Sequence, residues 1–347
     1  MSSLENAIRE FQQQHAGEVA IVGHHYQQDN VIRHCGITGD SLELARKVAA
    51  IDAPHIVFCG VFFMAESAAL LARAGQQVHL PAPDANCVMA QMTPATLVRT
   101  VLSRIAASGR KIVPLAYVNT PLAVKAVVGE FGGAVCTSAN AKTMLRWALQ
   151  AGDGVLFLPD ANLGRNTATA LGLTEHDWHM LNIRKGGDDL DAAALRSKQL
   201  LLWPGCCAIH AKIRPEHIAA LRAAHPECRV AVHPECAPEC VRAADAAGST
   251  SFLINYVHTA PAGSVVGIGT EANLVHRLRE QAAHCTVLSV RDVRCSDMGK
   301  TTEERLLACL RGIAAGQSHP VTVPEQQQAP AKASLERMLN VCARTGA

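Results

Sequence analysis

The chain has 347 residues, of which 49% are hydrophobic, 18% charged and only 4% aromatic, with a formal net charge of +2. That length suits two or three domains, with cores built from Ala, Val, Leu and Ile rather than rings. A near-neutral balance with no long basic run argues against nucleic acid or an anionic membrane as main partner, and no apolar stretch reaches the ~18 residues that would span a bilayer.

The N-terminal stretch MSSLENAIREFQQQHAGE reads as a short amphipathic helix. It lacks the apolar core and cleavage site of a signal peptide, so a cytoplasmic protein is expected. From there, short apolar runs alternate with helical patterns. The runs at 18–26, 55–63, 111–119, 154–160, 199–205, 229–235 and 264–269 are rich in Val, Ile and Leu and do not strictly alternate. Such runs are buried strands with both faces covered, which points to parallel sheets in α/β units. Helical patterns occupy 40–51, 64–74, 93–107 and 236–247, with Asp40 a natural N-cap and Pro94 a start signal. Pro-Asp-Ala-Asn occurs at 83–86 and 159–162, and His-Pro-Glu-Cys at 225–228 and 233–236. A rhythm of about ten strand–helix units over three stretches of roughly 90–100 residues favours several similar α/β domains over one sheet. Residues 182–193 read as an exposed insertion, and 319–333, rich in Pro and Gln, as a mobile-looking segment before a closing helix at 334–345.

Thirteen cysteines are many, but an odd number in a long chain without secretory features argues against a disulfide scaffold. Cys59, Cys136, Cys285 and Cys309 lie in apolar runs and read as small core hydrophobes. Others stand where ligands collect in α/β folds, beyond the carboxyl ends of strands. After the first strand come His24, His25 and Tyr26; after the run at 111–116, Tyr117 and Asn119; after 133–136, Thr137, Ser138 and Asn140. Cys87, Cys206, Cys207, His210, His233, Glu235 and Cys295 stand in similar places, and Ser249 and Thr250 follow the helical pattern at 236–247. Each has an ordinary alternative. A histidine pair can be satisfied by backbone, Gly248-Ser249-Thr250-Ser251 can be a turn rather than a phosphate cradle, and Glu235 can cap a helix rather than act as an acid or base. The cysteines admit zinc, a catalytic thiolate or an iron–sulfur cluster, and spacing alone leaves these open.

The motifs together are specific. In order they are GHHYQ (23–27), GDSLELA (39–45), CGVFFMAESA (59–68), PDANCVMA (83–90), YVNT (117–120), CTSANA (136–141), PDANLGRN (159–166), WPGCCAIH (203–210), HPEC (233–236), ADAAGSTS (244–251), GIGTEANLVHRL (267–278) and CSDMGK (295–300). Through them the chain, from about 18 to about 345, resembles the quinolinate synthases, iron–sulfur enzymes of de novo NAD biosynthesis.

The resemblance implies three similar three-layer α/β/α domains with parallel sheets around a pseudo-threefold axis, and an active site at their common interface. The expected division is 1–76 with 300–347, then 77–196, then 197–299. It also implies a [4Fe-4S] cluster with one open iron and three cysteine ligands, Cys87, Cys207 and Cys295; in the register Trp-x-Gly-x-Cys, Cys207 matches and Cys206 fills the variable place. The implied reaction condenses iminoaspartate with dihydroxyacetone phosphate, and an aspartate oxidase or dehydrogenase is the implied partner enzyme. By the same resemblance Tyr26, His233, Glu235 and Tyr117 are catalytic, and His24, Ser41, Asn119, Thr137, Ser138, Asn140, Ser249 and Thr250 bind substrate. His210 is a residue to watch beside the cluster. Two departures stand out: position 25 is His, and Ser289 and Asp292 replace the first cysteines of a C-x-x-C-x-x-C run found in some members. The competing readings are another [4Fe-4S]-dependent hydro-lyase, separable by assaying quinolinate formation, and a non-enzymatic iron–sulfur sensor, which the near-neutral charge disfavours.

Overall fold

A computed structural model of the chain describes residues 3–345. The apolar runs form strands in three sheets. The first sheet contains β1 (Val19–His24), β2 (Ile37–Gly39), β3 (His55–Cys59) and β4 (Gln77–His79); the second contains β5 (Ile112–Tyr117), β6 (Ala134–Cys136), β7 (Gly154–Leu158), β8 (Trp178–Met180) and β9 (Leu200–Leu202). The third contains β10 (Arg229–Val232), β11 (Ala246–Ala247), β12 (Val265–Gly269) and β13 (Thr286–Ser289). Every pairing is parallel.

The orders are β2-β1-β3-β4, β6-β5-β7-β9-β8 and β11-β10-β12-β13. With the edge strand β8 set aside, each sheet repeats one topology: second strand, first, third, fourth. The expected three α/β/α units with parallel sheets are therefore present.

Both faces of each sheet are covered, and the first sheet shows how. Ile21, Val57 and Cys59 face one hydrophobic cluster with Ile8 and Phe11 of the Ser3–Gln14 helix and Leu306 and Leu310 of the Glu303–Ala314 helix. Their neighbours Val22, Ile56 and Phe58 face the opposite cluster with Leu44, Val48 and Met64. Alternation of side chains along a strand sends successive residues to opposite layers, so both must be apolar. This is why the runs read as continuous rather than alternating.

The strands stop earlier than the apolar runs. The expected strand 18–26 ends at His24, and 229–235 ends at Val232; the polar residues beyond are loops, not strand. The expected helix 236–247 is also shorter. It spans Pro238–Ala243, after which Ala246–Ala247 pair with β10 as β11. The segment 319–333 is largely ordered: Val321 donates its N–H to the Val78 carbonyl at 2.7 Å, and the last helix begins at Glu325 and runs to Thr345. That helix packs on the Leu122–Glu130 and Ala141–Ala151 helices and on β6, whereas the Glu303–Ala314 helix packs on β3 and the Ser3–Gln14 helix. Gly129 permits the first contact, because a Cβ there would run into the backbone of Pro330.

Candidate active site

The carboxyl ends of the three sheets converge on one cavity of about 950 Å³ of atom-free space, open to solvent at its mouth. The repeated topology places the same chemistry after the same strand of each sheet. After the first strands come pairs two residues apart: His24 and Tyr26, Tyr117 and Asn119, His233 and Glu235. The second member of each pair stands on the turn or bend that ends the strand, and both members reach the cavity. Hydroxyls follow the second strands, with Ser41, Thr137, Ser138 and Thr250 lining the cavity. A cysteine follows each fourth strand: Cys87 after β4, Cys207 after β9 and Cys295 after β13. Cys206 does not line the cavity.

The loops carrying the cysteines are pinned by the third strands. Beyond β7, Asp160 is fully buried and accepts the N–H of Cys207 at 3.1 Å and of Leu163 at 2.7 Å. The chain from Trp203 to Cys207 runs alongside: Ala161 donates its N–H to the Gly205 carbonyl at 2.9 Å, and Gly205 donates to Pro159 at 3.1 Å. A Cβ on Gly205 would lie 2.5 Å from the Pro159 carbonyl oxygen, which is the physical reason for glycine in Trp-x-Gly-x-Cys. Beyond β12, Glu271 accepts the N–H of Cys295 at 3.2 Å.

Burial pushes the Cys87 thiol up to about 12, and also raises Cys295 and lifts Cys207 well above its ordinary value, with Glu235 adding to the last. All three thiols therefore keep their protons unless a cation takes their place.

Glu235 is the electrostatic centre. Burial alone would raise its pKa, but His210, His233 and the Tyr117 hydroxyl beside it hold the carboxyl down at about 2. Its Oε2 stands 2.6 Å from His210 Nδ1 and 3.5 Å from His233 Nδ1, and the two imidazoles stack at 4.5 Å. His210 Nε2 and the Tyr26 hydroxyl meet at Thr270 Oγ1, at 3.0 and 2.7 Å, and Thr250 Oγ1 donates to the Tyr26 hydroxyl at 3.1 Å. Burial, with help from neighbouring imidazoles, lowers His24 and His233 to about 3 each. Both use Nδ1 to accept a backbone N–H two residues on, from Tyr26 at 3.1 Å and Glu235 at 3.4 Å. They are neutral near pH 7. Burial raises Tyr26 and Tyr117 well above 10, so both remain O–H donors.

Of the residues expected from sequence, Asn140 and Ser249 do not line the cavity. Asn140 Oδ1 accepts the N–H of Thr137 at 2.7 Å and its amide faces Cys342 Sγ, so it shapes the hydroxyl loop from behind. Ser249 caps the Thr250–His258 helix by accepting the N–H of Phe252. Asp160, Thr270 and Glu271 carry no role in the sequence reading. Asp160 had a signal, the second Pro-Asp-Ala-Asn; Thr270 and Glu271 had only their place beyond an apolar run. Four buried polar atoms around the site lack hydrogen-bond partners: Asn119 Oδ1, Thr137 Oγ1, His210 Nδ1 and Glu235 Oε1. Cys207, His210 and Glu235 have donor atoms within 4.8 Å of one another, close enough to hold a metal ion.

Comparison with known proteins agrees with this geometry. Residues 6–340 match the model of the family described as quinolinate synthetase A protein. The chain is 40% identical over 344 residues to the quinolinate synthase of Corynebacterium glutamicum, covering 97% of this chain and 87% of that one. It is 41% identical to that of Herpetosiphon aurantiacus (93% and 88% covered) and 42% identical to that of a Nocardioides species (92% and 85%). With the motifs, the three sheets and these matches extending over nearly the whole length, the chain belongs to the quinolinate synthetase A family of enzymes.

Proposed function

We propose that the cavity makes quinolinate from iminoaspartate and dihydroxyacetone phosphate, releasing phosphate and two waters, with a [4Fe-4S] cluster held by Cys87, Cys207 and Cys295. The observation that carries this reading is the arrival of one cysteine from behind the fourth strand of each sheet at a cavity lined with acid–base and hydroxyl groups. Three thiols suit a cluster with one iron left free of protein, and when bound it supplies a Lewis acid for the dehydrations. The unpartnered Asn119, Thr137 and Glu235 oxygens fit a site completed by bound groups.

The chain's own residues divide the remaining work. Ser41, Thr137 and Ser138 donate hydroxyl hydrogens to the phosphate and carboxylates of the substrates, and Thr250, its hydroxyl hydrogen given to Tyr26, binds them from the same wall. Neutral His24 offers Nε2–H for the same purpose. Glu235, ionised beside His233, takes the proton whose removal turns the triose ketone into its enol, and Tyr26, still protonated, gives a proton to a departing oxygen. Tyr117 and Asn119 orient the ring-forming atoms. Asn140 and Ser249 hold the hydroxyl loops. We divide the chain between its sheets, within 80–111 and 203–228, close to the expected divisions at 76 and 196; of the segment 300–347 expected to join the first domain, the Glu303–Ala314 helix packs on the first sheet and the Glu325–Thr345 helix on the second. An enzyme that oxidises aspartate supplies the hydrolytically labile imine.

An anaerobic preparation, assayed for iron, sulfide and quinolinate from the two substrates, tests this reading. Four irons per chain with product formation are expected; a colourless protein after anaerobic reconstitution sinks it.

A further inference from the structure

The three cysteines are not the only donor group in the cavity. Cys207 Sγ, His210 and Glu235 form a tight trio from two loops, those after β9 and β10, and the trio needs neither Cys87 nor Cys295. His210 is 1% and Glu235 2% exposed. His210 Nδ1 and Glu235 Oε2 are 2.6 Å apart, at ion-pair distance, and neither Nδ1 nor Oε1 has a further partner. The other ring nitrogen, Nε2, is 3.0 Å from Thr270 Oγ1. With Nε2–H donated to that hydroxyl, Nδ1 faces the carboxylate, and a metal ion bound there takes the place of the proton through which His210 holds the carboxyl down. An outer hydrogen bond of this kind is how proteins present an imidazole to a metal. A buried ring nitrogen against a buried carboxylate calls for a cation between them, a proton or a metal ion.

We propose that, when no cluster is bound, Cys207, His210 and Glu235 hold a single zinc ion, with the fourth coordination position open to the cavity. One sulfur, one nitrogen and one oxygen donor suit zinc, and three protein ligands with an open fourth place is its usual arrangement in reactive sites. Bonds of about 2.0–2.3 Å place donors about 3.3–3.7 Å apart around a tetrahedral ion, so the carboxylate has to swing away from the imidazole by about 1 Å. Forming the zinc–sulfur bond releases the Cys207 thiol proton to solvent. A consequence rests on the cluster reading above: Cys207 cannot serve both groups, so zinc and cluster exclude one another.

Cobalt(II) is the probe. Added to the full-length chain freed of iron, it is expected to bind one ion per chain and to show a thiolate charge-transfer band and tetrahedral visible bands, both removed by zinc. Cys87→Ser and Cys295→Ser should keep those bands. Cys207→Ser should lose the charge-transfer band, and His210→Ala should weaken cobalt binding about tenfold or more. If His210→Ala fails to fold, as judged by its circular dichroism melt, His210→Gln takes its place. Failure to bind cobalt at all, a charge-transfer band that survives Cys207→Ser, or equal loss in Cys87→Ser overturns the site. Zinc-loaded chain is then put through anaerobic reconstitution, and exclusion of the cluster is expected. If the cluster assembles while zinc stays bound, the zinc site stands and Cys207 is not a cluster ligand.

Discussion

Cys206 and Cys207 are adjacent, yet only Cys207 turns into the cavity with its N–H on a buried carboxylate. Cys207→Ser is therefore expected to abolish bound iron and sulfide and all activity, and Cys206→Ser to leave both near wild type. Metal analysis after anaerobic reconstitution decides, and the reverse pattern refutes the assignment. His24 offers a pH test. It is held near 3 chiefly by burial, against about 6.5 in an unfolded chain. Between those values the unfolded state binds a proton that the native state does not. Its contribution is complete above the unfolded pKa and declines as pH falls toward 3, by at most about 1.4 kcal/mol per pH unit. Glu271, raised to about 7 mainly by burial, has the opposite sign, losing its contribution as pH rises toward 7. The clean measurement is thus a difference: from pH 7 to pH 5, wild type should lose about 1–2 kcal/mol more stability to urea than His24→Gln. Parallel curves would show that His24 is not a buried neutral imidazole.

At the scale of elements, two glycines set distances that no apolar pattern encodes. Gly205 lets the Cys207 loop run against Pro159, and Gly205→Ala is expected to push that loop outward; iron content should fall while the melting temperature changes by only a few degrees. Gly129 lets the last helix lie on the Leu122–Glu130 helix. A methyl there meets backbone rather than a flexible side chain, so Gly129→Ala should cost roughly 1–3 kcal/mol, read in thermal unfolding. A variant as stable as wild type would mean that the helices part without penalty. Strand and helix identities were legible in the sequence because burial on both faces writes an unbroken apolar run. Short elements were not: Ile37–Gly39, Trp178–Met180 and Ala246–Ala247 are too brief for any periodicity. Nothing in SLERMLNVCART says which sheet its helix will cover. The helical start at Glu325 was hidden by Pro and Gln, which are poor signals of docking.

At the scale of the whole molecule, the site exists only if three sheets keep their mutual positions. Arg277, on the Ala272–Gln281 helix of the third sheet, reaches the loop after β1, donating to Asp29 Oδ1 at 2.6 Å, to the Gln27 carbonyl at 3.2 Å and to the His25 carbonyl. Asn273 of the same helix donates to the Tyr26 carbonyl at 3.2 Å. Ser251 donates to Asp40 Oδ2 at 2.7 Å across the same seam. Arg277→Ala should therefore lower kcat about tenfold or more by loosening Tyr26, and cost roughly 2–4 kcal/mol, as charge-assisted bonds of this kind are worth about 1.5–3 each. Activity measured beside urea unfolding separates the two effects, and an unchanged kcat would show that the loop holds itself. The sequence alone determined where the longer strands form, that both their faces are covered, and which polar and sulfur residues stand beyond them, because burial and alternation act within a few residues. It also led, through the order of its motifs, to the family. Only the tertiary structure decided that Asn140 and Ser249 support the cavity rather than line it, that Asp160 and Glu271 hold the cysteine loops, and that His210, Thr270 and Tyr26 join in one network. Those relations link residues 24 to 244 positions apart, and only the folding of each sheet and the packing of the sheets against one another bring them within hydrogen-bonding distance.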